Sequence, residues 1–188
     1  MRTLLVLATF LSLVACQPKE NTELTEAPNT FSEYHQNGMV KSFSEIKDNQ
    51  YHGLSLEIDK RGNVLKQYRY SMGELDGKQR HFSTSGRLEL EAEYKNGGLD
   101  GVFVNYQSDG KNKREEHHYK ANKKHGKSSW FYKDGTLSET CTYVDGKKEG
   151  EAQRYNSNGR LIGKAQFKDG AIVGDWQHFE ANSEASKQ

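Results

Sequence analysis

The stretch GKQRHFSTSGRLELEAEYKNGGLDG, residues 77–101, decides the fold. It opens on Gly77 and closes on Gly101, and its length recurs along the chain. Glycines stand at Gly53, Gly77 and Gly101, then at Gly126, Gly150 and Gly174. A second series follows nine residues later at Gly62, Gly86, Gly110, Gly135 and Gly159. A third stands eleven further on at Gly73, Gly97, Gly146 and Gly170. With Gly38, nine residues after Asn29 where the first unit starts, 16 of 18 glycines lie on this lattice, and only Gly98 and Gly163 fall off it. A tandem repeat of 24 residues implies a stacked, quasi-one-dimensional architecture.

Counting from the first glycine, apolar or aromatic residues return at plus five, as in Ile58, Phe82, Tyr106 and Phe131. They return at plus seventeen, as in Tyr70, Tyr94, Tyr143 and Phe167. Between them Leu88, Leu90, Ala92 and Tyr94 alternate with Arg87, Glu89, Glu91 and Glu93. That period of two is the mark of a strand with one apolar and one charged face. Asp134-Gly135 and Asn158-Gly159 end short strands; Asn96-Gly97 and Asp169-Gly170 end longer ones. Such pairs are hairpin turns, because both residues tolerate positive φ. A three-residue loop ending on the glycine pairs Phe82 with Leu88, Phe131 with Leu137, Tyr155 with Leu161 and Ile58 with Val64. All glycines of the lattice are expected at left-handed turn positions, with Asn49 and Asn122 replacing two of them. Unit four carries one extra residue between Gly110 and Tyr119. The expected fold is all-β: an elongated, single-layer antiparallel sheet of tandem 24-residue hairpins, spanning residues 29–179 in about twelve to thirteen strands.

The flanks read differently. MRTLLVLATFLSLVAC has Arg2 followed by a short apolar run and small residues before Cys16. Residues 1–15 are expected to be an export signal, too short to span a bilayer comfortably. Residues 16–28 (CQPKENTELTEAP) are polar and acidic and hold both prolines, so they read as a tether. Residues 180–188 show no pattern and are expected to be disordered. Without Arg2 the chain has 26 basic and 26 acidic side chains, a balance that does not indicate nucleic-acid binding. Only Cys16 and Cys141 exist, so no disulfide framework is expected. Cys141 takes an inward slot equivalent to Ala92 and Ala165.

The stretch Leu13-Val14-Ala15-Cys16 resembles the bacterial lipobox. That resemblance implies acylation of Cys16, an anchor of several acyl chains, and, with Gln17 next, an outer-membrane lipoprotein facing the periplasm. The repeat itself resembles the MORN-variant repeat of bacterial proteins, often labelled YwqK-family antitoxins. The match is best in residues 77–101 and in GKSSWFYKDGTLSETCTYVDGKKEG and GEAQRYNSNGRLIGKAQFKDGAIVG, residues 126–150 and 150–174. The resemblance implies a non-catalytic scaffold or protein-binding role, with toxin neutralisation as the alternative. It supplies no catalytic residue.

No nucleophile elbow, phosphate loop or HExxH motif occurs, and neither a cofactor nor a small-molecule substrate is expected. The partners expected are the membrane, through the lipid, and a protein. Trp130 and Trp176 fall on short strands and are placed on the face away from Phe131 and Phe179, as a contact patch or as covers for neighbouring strands. Lys123, Lys124 and His125 sit in a run, Lys111 to Lys127, with seven Lys/Arg against two Glu. That run is either a solvated edge or a surface for an acidic partner or anionic headgroups. His117 and His118 are expected as exposed strand residues pointing to opposite faces, unless the extra residue of unit four forms a bulge beside them.

Overall fold

The computed structural model describes residues 29–179. The export segment, Cys16, the tether and the tail lie outside the described residues. Fourteen strands form: β1 (Asn29–Tyr34), β2 (Val40–Lys47), β3 (Gln50–Ile58), β4 (Val64–Ser71), β5 (Glu74–Leu75), β6 (Gly77–Phe82) and β7 (Leu88–Lys95). They continue as β8 (Gly98–Tyr106), β9 (Lys113–Lys120), β10 (Lys123–Phe131), β11 (Leu137–Val144), β12 (Lys147–Tyr155), β13 (Leu161–Lys168) and β14 (Ala171–His178). All belong to one antiparallel sheet in which neighbours in sequence are neighbours in space. Only β5 stands off this path: a strand that is continuous in the other units breaks at Asp76, whose N–H donates to the Arg69 carbonyl at 2.9 Å. The sheet is open, with β1 and β14 at its edges.

Turns of two kinds alternate. At one end Ser83 and Arg87 close a three-residue loop, and the Gly86 N–H donates to the Ser83 carbonyl at 2.9 Å. The pairings Phe82–Leu88, Phe131–Leu137, Tyr155–Leu161 and Ile58–Val64 all form. The extra residue of unit four lengthens this loop, so that Gln107 closes against Asn112. It therefore sits in a turn; beside the histidines β9 pairs with β8 without a shift, and the bulge facing them lies on β10 between Lys124 and Ser128. At the other end two successive residues with positive φ, such as Asn96 at 48° and Gly97 at 75°, reverse the chain. This is the two-residue turn whose twist suits a hairpin. Asn49 (59°) and Asn122 (66°) hold the expected left-handed positions.

The first glycine series departs from the expectation. Its φ values are positive, but the residues lie at bulges where five residues of one strand oppose three of the next. At Gly101 the reason is space: a Cβ there would stand 2.8 Å from Cβ of Glu93, whose carboxylate accepts the Val102 N–H at 3.2 Å. A bulge leaves ladder groups unpaired, and the glutamate supplies one of the missing acceptors.

A single layer has no second sheet to bury its apolar face, so its core is a row of small residues. Ala92, Cys141, Ala152 and Ala165 are buried together with Ser44 and Ser128. Cys141 thus fills the slot the lattice assigns it. Two residues on along the strand, Ala92, Cys141, Ala165 and Ser128 are flanked by the rings of Tyr94, Tyr143, Phe167 and Trp130, while Ala152 and Ser44 are flanked by Arg154 and Ile46. Cross-strand pairs of this sort contribute about 0.2–1 kcal/mol each, and their repetition substitutes for a thick core. His117 lies in the same row and is buried, only 3% exposed, against the expectation of an exposed strand residue. Phe103 stacks on it (6.2 Å between centroids) and Trp130 covers it edge-on (5.1 Å).

Candidate partner-binding face

The register decides which side chains meet. Residues paired across antiparallel strands share a face. Tyr119 opposes Lys124, Tyr143 opposes Lys148, and Phe167 opposes Ile172. Trp130 opposes Glu139, and Arg154 opposes both Glu139 and Gly163. The rings at plus seventeen, the buried small row and both tryptophans therefore occupy one side of the sheet. This corrects the placement of Trp130 and Trp176 on the face behind the rings. The register shifts between Trp130 and Phe131, so Trp130 lines up with Glu139 on the ring-bearing side. Trp176 likewise lies against Phe167, their centroids 6.5 Å apart, and over Gly163.

On this side the C-terminal units build a ladder of cations and rings. The Lys124 ammonium stands 5.5 Å from the Trp130 ring and 5.3 Å from Tyr143. Lys148 stands 6.0 Å from Trp130 and 5.0 Å from Phe167. The Arg154 guanidinium lies 3.9 Å from the Trp176 ring. Such contacts are worth about 0.5–2 kcal/mol, the more where water is excluded. Arg154 Nε donates to Glu139 Oε2 at 3.0 Å, and Lys148 Nζ lies 3.5 Å from Glu139 Oε1. One carboxylate thus faces two of the three cations. Burial pushes the Lys124 ammonium below the ordinary lysine value; Glu115 opposes this and Lys148 adds to it. Burial also pushes the Tyr143 hydroxyl up to about 12. The Cys141 thiol beneath is raised by burial and stays protonated.

The residues singled out from sequence do not form one patch. Lys124 joins Trp130, while Lys123 and His125 alternate to the other side and to the turn. Lys123 opposes Lys120 across the two-residue turn, and neither forms an ion pair among the described residues. His125 Nδ1 lies 3.4 Å from Asp145 Oδ1. Cys16 is outside the described residues. Lys148, Arg154, Tyr143 and Phe167 complete the ladder and were missed. A signal existed for the lysines: two residues before each first glycine stand Tyr51, Leu75 and Leu99, then Lys124 and Lys148, then Ile172, so that one lattice row turns basic in two adjacent units.

The N-terminal end of this side offers less. There Phe31 and Tyr51, about half exposed, border an open depression of about 560 Å³ without any charged group in its lining. Among the described residues no group of three or more His, Cys, Asp or Glu is placed to hold a metal ion, and no helix is long and apolar enough to cross a membrane.

Three stretches of the chain, residues 75–96, 124–145 and 148–169, match the family described as MORN repeat variant. The last two carry Lys124, Tyr143, Lys148 and Phe167 of the ladder. No curated protein matches the chain. Among solved structures, one likeness is to an S. aureus TarM mutant in complex with Fondaparinux, alpha-GlcNAc-glycerol and UDP. It is 17% identical with a TM-score of 0.34, over 48% of this chain and 18% of that one. Another is to a GtfA/B complex bound to UDP and GlcNAc, 16% identical with a TM-score of 0.25, over 58% and 21%. The chain spans about a fifth of the length of either.

Proposed function

We propose that this protein is a non-catalytic binding module that presents the ring-bearing face of its sheet to another protein. It is held in the bacterial envelope by a lipid on Cys16, at the outer membrane and facing the periplasm. The observation that carries the reading is the ladder of Lys124, Lys148 and Arg154 over Trp130, Tyr143, Phe167 and Trp176. Partner surfaces are enriched in Trp, Tyr and Arg because a rigid ring loses little entropy on contact. Here both tryptophans of the chain lie on one open face, beside the half-buried Lys124 and Lys148 and the exposed Arg154. Repeat arrays bind through such extended surfaces. The tether of residues 16–28 lets the array stand off from the membrane.

The test is crosslinking and capture from native envelopes, with the wild type beside a Trp176→Ala variant. The wild type recovers a reproducible partner, and the variant recovers much less of it while melting within a few degrees of wild type. Absence of any reproducible partner, or equal recovery by the variant, contradicts the proposal. The anchor has its own test: Cys16→Ser releases the protein from the membrane fraction if acylation holds it there. Retention of the variant refutes lipidation at that residue.

A further inference from the structure

Resting on the proposed binding role of this face, we infer that its partner is an acidic segment of a protein, bound across β10 to β14 by carboxylates that meet Lys124, Lys148 and Arg154. Three observations lead there. The first is charge. From Glu115 onward the ring-bearing side of these strands carries the three cations against Glu115 and Glu139 only, and Glu115 is already hydrogen-bonded to Asn105 and His117. The N-terminal half of the same side has its rings, Tyr51, Tyr68 and Tyr70, beside Glu57 and Glu33; its cation Lys66 is held by Glu57 at 2.9 Å, and no cation overlies the rings among the described residues. Cations thus outnumber carboxylates, and overlie rings, at one end only of a continuous aromatic face. A ligand attracted by rings alone would have no preference between the ends; an acidic one has.

The second is what the rings leave free. The Trp176 ring is covered by the Arg154 guanidinium, and Trp130 lies between Lys124 and Lys148. Ring faces occupied in this way are not open for stacking against a sugar ring. They instead hold the cationic heads in place, which reduces the entropy lost when a carboxylate binds. Arg154 uses Nε toward Glu139, so its two terminal nitrogens remain for a planar, two-point contact with a carboxylate. The third is cost. Burial disfavours the Lys124 ammonium, and the like charge of Lys148, which shares the Trp130 ring with it, adds to this. An anion between them relieves both penalties at once. Lys124 and Lys148 stand two strands apart, a span of about 10 Å that acidic side chains three residues apart match on a polyproline II chain, whose three-residue turn puts them on one face about 9 Å apart.

The experiment uses the full chain in detergent and its own tryptophans. The chain has only Trp130 and Trp176, so intrinsic fluorescence reports on this face alone. A short glutamate-rich peptide is titrated beside its glutamine counterpart and a sulfated oligosaccharide. We expect a saturable fluorescence change with the glutamate peptide only, weakened in high salt. The combined variant Lys124→Gln, Lys148→Gln and Arg154→Gln should lose at least about tenfold in affinity. A variant of equal charge change on the other side, Lys120→Gln, Lys123→Gln and Lys127→Gln, should lose less than about threefold. Both are compared at matched thermal midpoints. A single Lys148→Gln variant, expected to lose several-fold, keeps the test open if the triple variant does not fold. Equal losses from both triple variants overturn the inference, as does binding of the oligosaccharide in place of the peptide, or no binding of the peptide at all. An envelope partner that crosslinks to the ring-bearing face in high salt, and still does so in the first triple variant, overturns the acidic chemistry while leaving the binding role intact.

Discussion

Replacing Gly101 with alanine separates the two jobs glycine does in this array. Gly101 has φ of +123°, a backbone region that residues with a Cβ rarely enter. Forcing a side chain there costs on the order of 1–3 kcal/mol. The new Cβ would also stand 2.8 Å from Cβ of Glu93, a short, backbone-fixed atom that cannot swing aside. Displacing Glu93 forfeits its bond from the Val102 N–H, worth roughly 0.5–1.5 kcal/mol. The total is about 2–4 kcal/mol, or roughly 5–15 °C in melting temperature for an array of this size. Gly86→Ala is the comparison. Gly86 has φ of +78° and no atom within 4 Å of a built Cβ, so only the left-handed cost of about 1 kcal/mol applies. Thermal and denaturant unfolding of the two variants, followed by far-UV circular dichroism, measure the difference. Equal destabilisation, or a Gly101→Ala loss under about 1 kcal/mol, would refute the idea that Gly101 is kept by the close approach of Glu93 across the bulge.

Other expectations concern single residues. Ala121 holds φ of 47° in its two-residue turn, where the other units place Asp, Asn or Met; Ala121→Asn should stabilise by about 0.5–1 kcal/mol, read from the denaturant midpoint. Burial, and behind it the charge of Lys124, hold the His117 imidazole below the ordinary histidine value, while Glu115 opposes them. The unfolded chain then binds more protons than the folded one between the folded value and about 6.5. Stability from His117 is therefore full above about pH 6.5 and is lost as pH falls through the lower folded value. His81, lowered chiefly by burial, acts in the same direction. Denaturant midpoints across that window should fall less steeply in His117→Gln, and an unchanged slope would refute the assignment. Cys141 should resist alkylation in the native protein and react only at the rate of opening, since burial leaves it a protonated thiol.

The sheet was legible because its punctuation is local chemistry. Asn-Gly and Asp-Gly pairs fix a two- or three-residue reversal whatever surrounds them, and the alternation of Leu88, Leu90, Ala92 and Tyr94 fixes the side of each strand. Three-dimensional register was harder. The same positive φ serves a chain reversal at Gly86 and a bulge at Gly101, and sequence spacing alone does not separate them. The shift at Trp130 put that residue on the ring-bearing side, the β13–β14 register put Trp176 there, and the candidate site moved with them. Pairwise reach across strands was not legible either. One residue before each first glycine, a polar side chain accepts the amide of the next turn: Asp76 from Asn96, Asp100 from Ala121, Glu149 from Asp169. Partners twenty residues apart are invisible to a period of two, although the polar character of that lattice column was on view. His117 was misread for the same reason. A histidine on an alternating strand looks solvated until the rings of Phe103 and Trp130 close over it from adjacent strands.

Tyr143 and Thr142 are consecutive in β11 and face opposite sides of the sheet, which makes them the sharpest test of the account. A photoreactive phenylalanine analogue placed at either position and irradiated in living cells reads which face meets a partner. The account predicts a discrete protein crosslink from position 143, competed by a glutamate-rich peptide, and none from position 142. A crosslink from 142 alone, or none from either, would contradict it.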